Sequence, residues 1–146
     1  MAYDYGGYER TKGDIDYKYS RDATTNAYGR FISQQRGQRS LGDMTRNFER
    51  SYPRYKATFG QRGLSGGGVK SGTMRNSMNN FIGDYTRDYL RGQQDVTQQL
   101  QQYDINQGDL DSWREQAYTD LETKKANEIA DAASNLQWLQ DMFGRL

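Results

Sequence analysis

The stretch MRNSMNNFIGDYTRDYLRGQQDVTQQLQQY, residues 74–103, decides the fold. Met74, Met78, Phe81, Tyr85, Tyr89, Val96, Leu100 and Tyr103 recur every three or four residues, the spacing that gathers side chains on one face of an α-helix. Thirty such residues predict a rod about 45 Å long with a coiled-coil-like seam. Gly83 and Gly92 interrupt the seam and permit a partner helix to come close. We expect an interface between subunits here, carried by Met74, Met78, Phe81, Tyr85, Tyr89, Val96 and Leu100.

Downstream, Asn106-Gln107-Gly108 reads as the end of that helix. Asp109 is placed to cap the next one, with Ser112 and Glu115 as a second possible capping box. The last stripe is Leu110, Trp113, Ala117, Leu121, Ile129, Ala132, Leu136, Leu139 and Phe143. Residues 73–146 are therefore expected to form a C-terminal antiparallel helical hairpin. Such a hairpin leaves one side of each stripe uncovered. The apolar ending includes Trp138, off the line of Leu136, Leu139 and Phe143, so Trp138 and Phe143 join the expected subunit interface.

Upstream, residues 1–22 read as an extended N-terminal arm. Tyr3, Tyr5, Gly6, Gly7 and Tyr8 show no helical period, and Asp14-Ile15-Asp16-Tyr17-Lys18-Tyr19 alternates as a strand does. The arm lies on a neighbour or is a frayed terminus. Residues 23–60 regain a helical period through Ala27, Tyr28, Phe31, Leu41, Met44, Phe48, Tyr52, Tyr55 and Phe59. Gly37 and Gly42 predict a kink, at about 1 kcal/mol each relative to Ala. Pro53 predicts a second discontinuity. Residues 61–72 are Gly-rich and predict a loop. The expected class is all-α, with elongated helices.

Composition limits the chemistry. The chain has 146 residues, one domain's worth, and no Cys or His, which removes disulfides, thiolate nucleophiles, zinc sites built on those residues and His general bases. Gly63 to Ser71 departs from the Walker phosphate-binding pattern, because Val69 separates Gly68 from Lys70 and no apolar strand precedes it. The carboxylates Asp109, Asp111, Asp120, Glu122, Glu128 and Asp131 fall on polar helix faces, with nothing to supply a cleft. We expect no catalytic residue, no metal, no cofactor and no enzyme. No run approaches the roughly 18 apolar residues of a membrane span.

Only 34% of residues are hydrophobic, against a usual 45–50%, and 12 of them are Tyr. Mean hydropathy is −1.13. A chain this poor in aliphatics either becomes ordered by burying Tyr and Met between subunits or stays intrinsically disordered. The net charge of +1 conceals a division: residues 30–83 hold ten basic side chains against Asp43 and Glu49, whereas residues 84–146 hold six basic against twelve acidic. The basic segment 30–75 can orient neighbouring copies. It can alternatively contact nucleic acid through Arg30, Arg36, Arg39, Arg46 and Arg50, which are interleaved with aromatics.

This Gln/Tyr/Gly-rich helical texture resembles small virion structural proteins of tailed bacteriophages. The most local likeness is Gly60-Gln61-Arg62-Gly63-Leu64-Ser65-Gly66-Gly67-Gly68-Val69-Lys70-Ser71-Gly72, joining Tyr/Gln/Arg-rich helices. The resemblance implies a structural part of tail, neck or internal core, partnered by copies of itself and other virion proteins and assembled in the host cytoplasm. It also allows an internal or ejected protein associated with nucleic acid.

Overall fold

Two long helices account for the computed structural model, which describes residues 5–61 and 70–143. Helix α1 spans Tyr5–Gln61, 57 residues, and α2 spans Lys70–Phe143, 74 residues. Among the described residues there is no strand, so the all-α expectation holds. The chain divides into a terminal unit, Met1–Tyr28 with Asp104–Leu146, and a central unit, Gly29–Tyr103. Within each unit a part of α1 runs antiparallel to a part of α2. In the terminal unit Asp16 meets Arg114 and Asn26 meets Gln107; in the central unit Thr45 meets Tyr85 and Tyr55 meets Phe81.

The contact stripes explain why both helices run so far. On α2 the half-buried or buried positions include Met78, Phe81, Tyr85, Tyr89, Gly92, Val96, Leu100, Tyr103, Gln107, Leu110, Arg114, Tyr118, Leu121 and Lys125. Phe81, Gly92, Tyr103, Arg114 and Lys125 are eleven residues apart, as are Ile15, Asn26, Gly37, Phe48 and Phe59 on α1. Eleven residues make three turns at about 3.67 residues each, close to the 3.6 of a straight helix, so the stripe stays on one face.

Four expectations from the sequence need correction. Residues 5–22 are helical rather than an extended arm. Their strand-like alternation is too short to decide anything: Ile15 and Tyr19, four apart, face α2, while Tyr17 is 70% exposed. The segment 23–60 is not broken, for α1 continues through Gly37, Gly42 and Pro53. Pro53 removes one backbone hydrogen bond, normally costing about 3 kcal/mol. It sits on the exposed side, where the freed Glu49 carbonyl meets water, and aromatic packing by Phe48, Tyr52, Tyr55 and Phe59 holds the helix on either side.

The third correction concerns the C-terminal hairpin. Helix α2 passes uninterrupted through Asn106-Gln107-Gly108, so residues 73–146 do not fold back on themselves, and Asp109 is a mid-helix residue rather than a cap. A Cβ at Gly108 would meet nothing within 4 Å, and one such glycine costs a helix only about 1 kcal/mol. The fourth is the kink at Gly37, which is instead a notch. A Cβ there would lie 2.5 Å from Val96 Cγ2. Likewise a Cβ at Gly92 would lie 3.1 Å from Leu41 Cδ2. The expected loop at 61–72 lies mostly outside the described residues.

Burial is shallow. Among the described residues the buried hydrophobic side chains are Ile15, Phe59 and Met78, at 9%, 8% and 8% exposure, and none falls below 2%. Two helices in contact along a single stripe cannot enclose a side chain on all sides, and this sets the terms for what the surface does.

Candidate subunit interface

In the central unit the residues expected to meet another subunit turn toward α1 of the same chain. Phe48 stacks on Tyr85 with ring centroids 4.1 Å apart and on Phe81 at 5.5 Å. Tyr55 stacks on Phe81 at 4.6 Å. The Tyr85 hydroxyl and the Thr45 hydroxyl are 3.1 Å apart, one donating to the other. Val96 fills the notch at Gly37. Met78 is buried, and Met74, Tyr89 and Leu100 are half-buried. Offset aromatic stacking adds about 0.5–1.5 kcal/mol per pair beyond area burial, which suits a seam with few aliphatics.

The terminal unit uses polar chemistry along the same stripe. Arg114 donates to Asp16 at 2.7 Å, and its guanidinium lies 4.6 Å from the Tyr19 ring centroid and 5.5 Å from that of Tyr118. Tyr19 donates its hydroxyl to Asp111 at 2.6 Å; Gln107 donates to Asp111 at 3.0 Å and Asn26 donates to Gln107 at 3.3 Å. Tyr8 donates to Glu122, while the Lys125 ammonium lies 4.4 Å from the Tyr8 ring centroid. Lys18 lies 4.1 Å over Trp113. These partners hold three carboxyls below their ordinary range. For Asp16 the Tyr118 hydroxyl contributes most, then Arg114; for Asp111 it is the Tyr19 hydroxyl; for Glu122 it is the Tyr8 hydroxyl.

Helix α1 reaches α2 as far as Glu128: Gly7, Tyr8 and Thr11 line one depression with Leu121, Lys124, Lys125 and Glu128. Beyond that point α2 continues for about four turns to Phe143. The apolar stripe persists there. Ile129 is 43% exposed, Leu136 61%, Trp138 61%, Leu139 39% and Met142 44%. Trp138, expected at a subunit interface, is exposed in the chain itself. The Phe143 side chain lies outside the described residues. Ile129, Leu136, Leu139 and Met142 are exposed as well, Met142 within about 40° of Trp138 around the helix and Ile129 on its far side, and their signal was the stripe's continuation along α2.

The sequence-derived arginines divide. At about 100° per residue, Arg36, Arg39, Arg46 and Arg50 occupy one arc of about 80° on α1, facing away from its contact stripe. All four are exposed. Arg30 lies about 120° around the helix from Arg36 and does not share the arc. Arg54 does share it, because eighteen residues from Arg36 make five full turns. Asp43 sits within the arc and accepts from Arg46 at 2.5 Å. The central unit carries twelve basic and five acidic side chains, the terminal unit eight and fourteen.

Among the described residues no group of His, Cys, Asp or Glu is arranged to hold a metal ion. No described helix is long and apolar enough to cross a membrane. No protein-family model, curated protein or solved structure matches the chain.

Proposed function

We propose that the chain is a non-enzymatic structural subunit that acts by packing its helices against neighbouring subunits. The resemblance noted above makes a tailed-phage particle (its tail, neck or internal assembly) the expected setting, with the protein located in the virion after assembly in the host cytoplasm. One observation carries the reading. The last four turns of α2 present Ile129, Leu136, Trp138, Leu139 and Met142 as exposed apolar side chains. Full burial of one such side chain is favourable by about 1.5–3 kcal/mol. A face of this kind is stable in water only at a cost that a neighbour removes.

The shallow burial elsewhere supports the same reading, because a helix pair with three buried hydrophobic residues gains stability from every further surface laid on it. Light scattering on the wild type and on a Leu136→Ser, Leu139→Ser variant tests it. The wild type is expected to form a defined oligomer, and the variant to lose mass while circular dichroism still shows helix. A wild-type monomer, or an oligomer of unchanged mass after both substitutions, would refute the role given to this end of α2. Phe81 and Tyr85 are unsuitable for the test, since each stacks on α1 and its loss unpacks the chain itself.

A further inference from the structure

We infer that the arginine arc of the central unit docks on an aspartate ridge of the terminal unit of a second copy of this chain. The ridge is formed by Asp109, Asp120 and Asp131, which are all exposed and fall within about 40° of arc on α2, beside the edge of its contact stripe that half-buried Trp113 marks. The proposal rests on the assembly reading above but on different residues.

Spacing is the first argument. Asp109, Asp120 and Asp131 are eleven residues apart, and so are Arg39 and Arg50. Eleven residues rise about 16.5 Å and return to the same face within about 20°. Two helices laid side by side can therefore bring Arg39 and Arg50 against two successive aspartates at once. Because the interval is common to both, the match holds whether the helices run parallel or antiparallel.

Charge is the second. Arg36, Arg39, Arg50, Arg54, Asp109, Asp120 and Asp131 form no ion pair with any described residue. The units that carry the two surfaces differ in net charge by sign and nearly match in size, at +7 and −6. Shape is the third. The α2 surface on the outer flank of the ridge bears Ser112, Gln116, Thr119, Thr123 and Asn127, all exposed and none bulky, while Trp113 and Lys124 border its inner flank, so an arginine-bearing helix can approach from the outer side.

A phosphate backbone is the competing partner for the same arginines. Asp43, a carboxylate within the arc, pairs with Arg46 and opposes either anionic partner alike. A nucleic-acid site leaves the matched aspartate ridge without a role. Isolated surface ion pairs contribute little, so the contact depends on several pairs acting together and weakens with salt.

A charge swap tests the proposal. Arg39→Glu with Arg50→Glu reverses the arc, and Asp120→Arg with Asp131→Arg reverses the ridge. At low salt each variant alone is expected to lose at least half of the wild-type oligomer's mass by light scattering. Mixed in equal amounts, the two should recover it, because every contact in the mixture again joins opposite charges. Unchanged mass in either variant, or no recovery on mixing, overturns the inference. So does a result in which only the arginine variant loses binding to a single-stranded oligonucleotide and neither variant loses mass. If Leu136→Ser with Leu139→Ser disperses the oligomer while the charge variants leave it intact, this docking mode fails and the assembly reading stands.

Discussion

Replacing Gly37 by Ala has a sign that the helix pairing alone decides. In an exposed helix the change is stabilising by about 1 kcal/mol, because Gly is the poorest helix former after Pro. Here the new methyl would lie 2.5 Å from Val96 Cγ2 and 2.8 Å from Cγ1, both closer than carbon atoms tolerate. Overpacking of this kind costs about 1–3 kcal/mol. The net expectation is a loss of about 1 kcal/mol, or about 3 °C in Tm for a chain of this length. Gly83 and Gly108 supply controls, since a Cβ at either meets nothing within 4 Å. Gly83→Ala and Gly108→Ala should each raise Tm by about 3 °C. Val96→Ala removes both clashing methyls, so Gly37→Ala should be less harmful in that background, with a coupling of about 1–2 kcal/mol in the double-mutant cycle. Thermal melts followed by circular dichroism measure all of these. If Gly37→Ala raises Tm as the two controls do, α1 does not seat on Val96, and the proposed pairing of the central unit is wrong.

Phe48 stacks on Phe81 and Tyr85 together, so Phe48→Ala should cost about 2 kcal/mol; a loss under about 0.5 kcal/mol in chemical denaturation would contradict the stacking. Asp16, Asp111 and Glu122 have depressed pKa values in the folded chain, so their stabilisation is complete above the unfolded values near about pH 4 and is lost as pH falls through the lower folded values. Amide hydrogen exchange should show the terminal unit opening first as pH falls below about 4 while the aromatic seam stays protected; equal opening of both units would count against these pairings. Arg114→Met removes the Asp16 partner and two ring contacts, and should speed exchange in the terminal unit alone.

Helical class was legible in residues 74–103 because apolar side chains there keep the 3–4 spacing, broken only where Gly92 takes the place between Tyr89 and Val96. The stripe became unreadable where its chemistry changed. Gln107, Arg114 and Lys125 continue the same face of α2, and Asn26 continues that of α1, yet hydropathy registers all four as surface residues. Reading the polar run at Asn106-Gln107-Gly108 as a chain reversal followed from that, and it paired residues 73–146 with themselves instead of with α1. The candidate interface was legible in Trp138, whose company of apolar neighbours is a local signal. It was misassigned for Phe81, Tyr85 and Val96, because a seam's spacing says which side chains are buried together and nothing about whose helix buries them. Arg54 needed the helix boundaries, since it shares the arginine face only if α1 runs unbroken through Pro53.

The change of chemistry along one stripe bears on how the pairing keeps its register. A seam of interchangeable aliphatics on two long helices fits itself nearly as well after sliding by a turn, or by the eleven-residue repeat. Tyr, Gly and charged residues at the same positions do not. Sliding α1 by eleven residues would set Phe48 or Asn26 where Gly37 receives Val96, and only the glycine leaves room for that side chain. It would also carry Asp16 away from Arg114, leaving a carboxylate and a guanidinium unmatched in a partly covered seam. A single polar residue at a core position fixes register in coiled coils at some cost in stability. This chain places such residues along much of the terminal unit and notches in the central one. The outcome in each unit is a pairing with one register and a thin core.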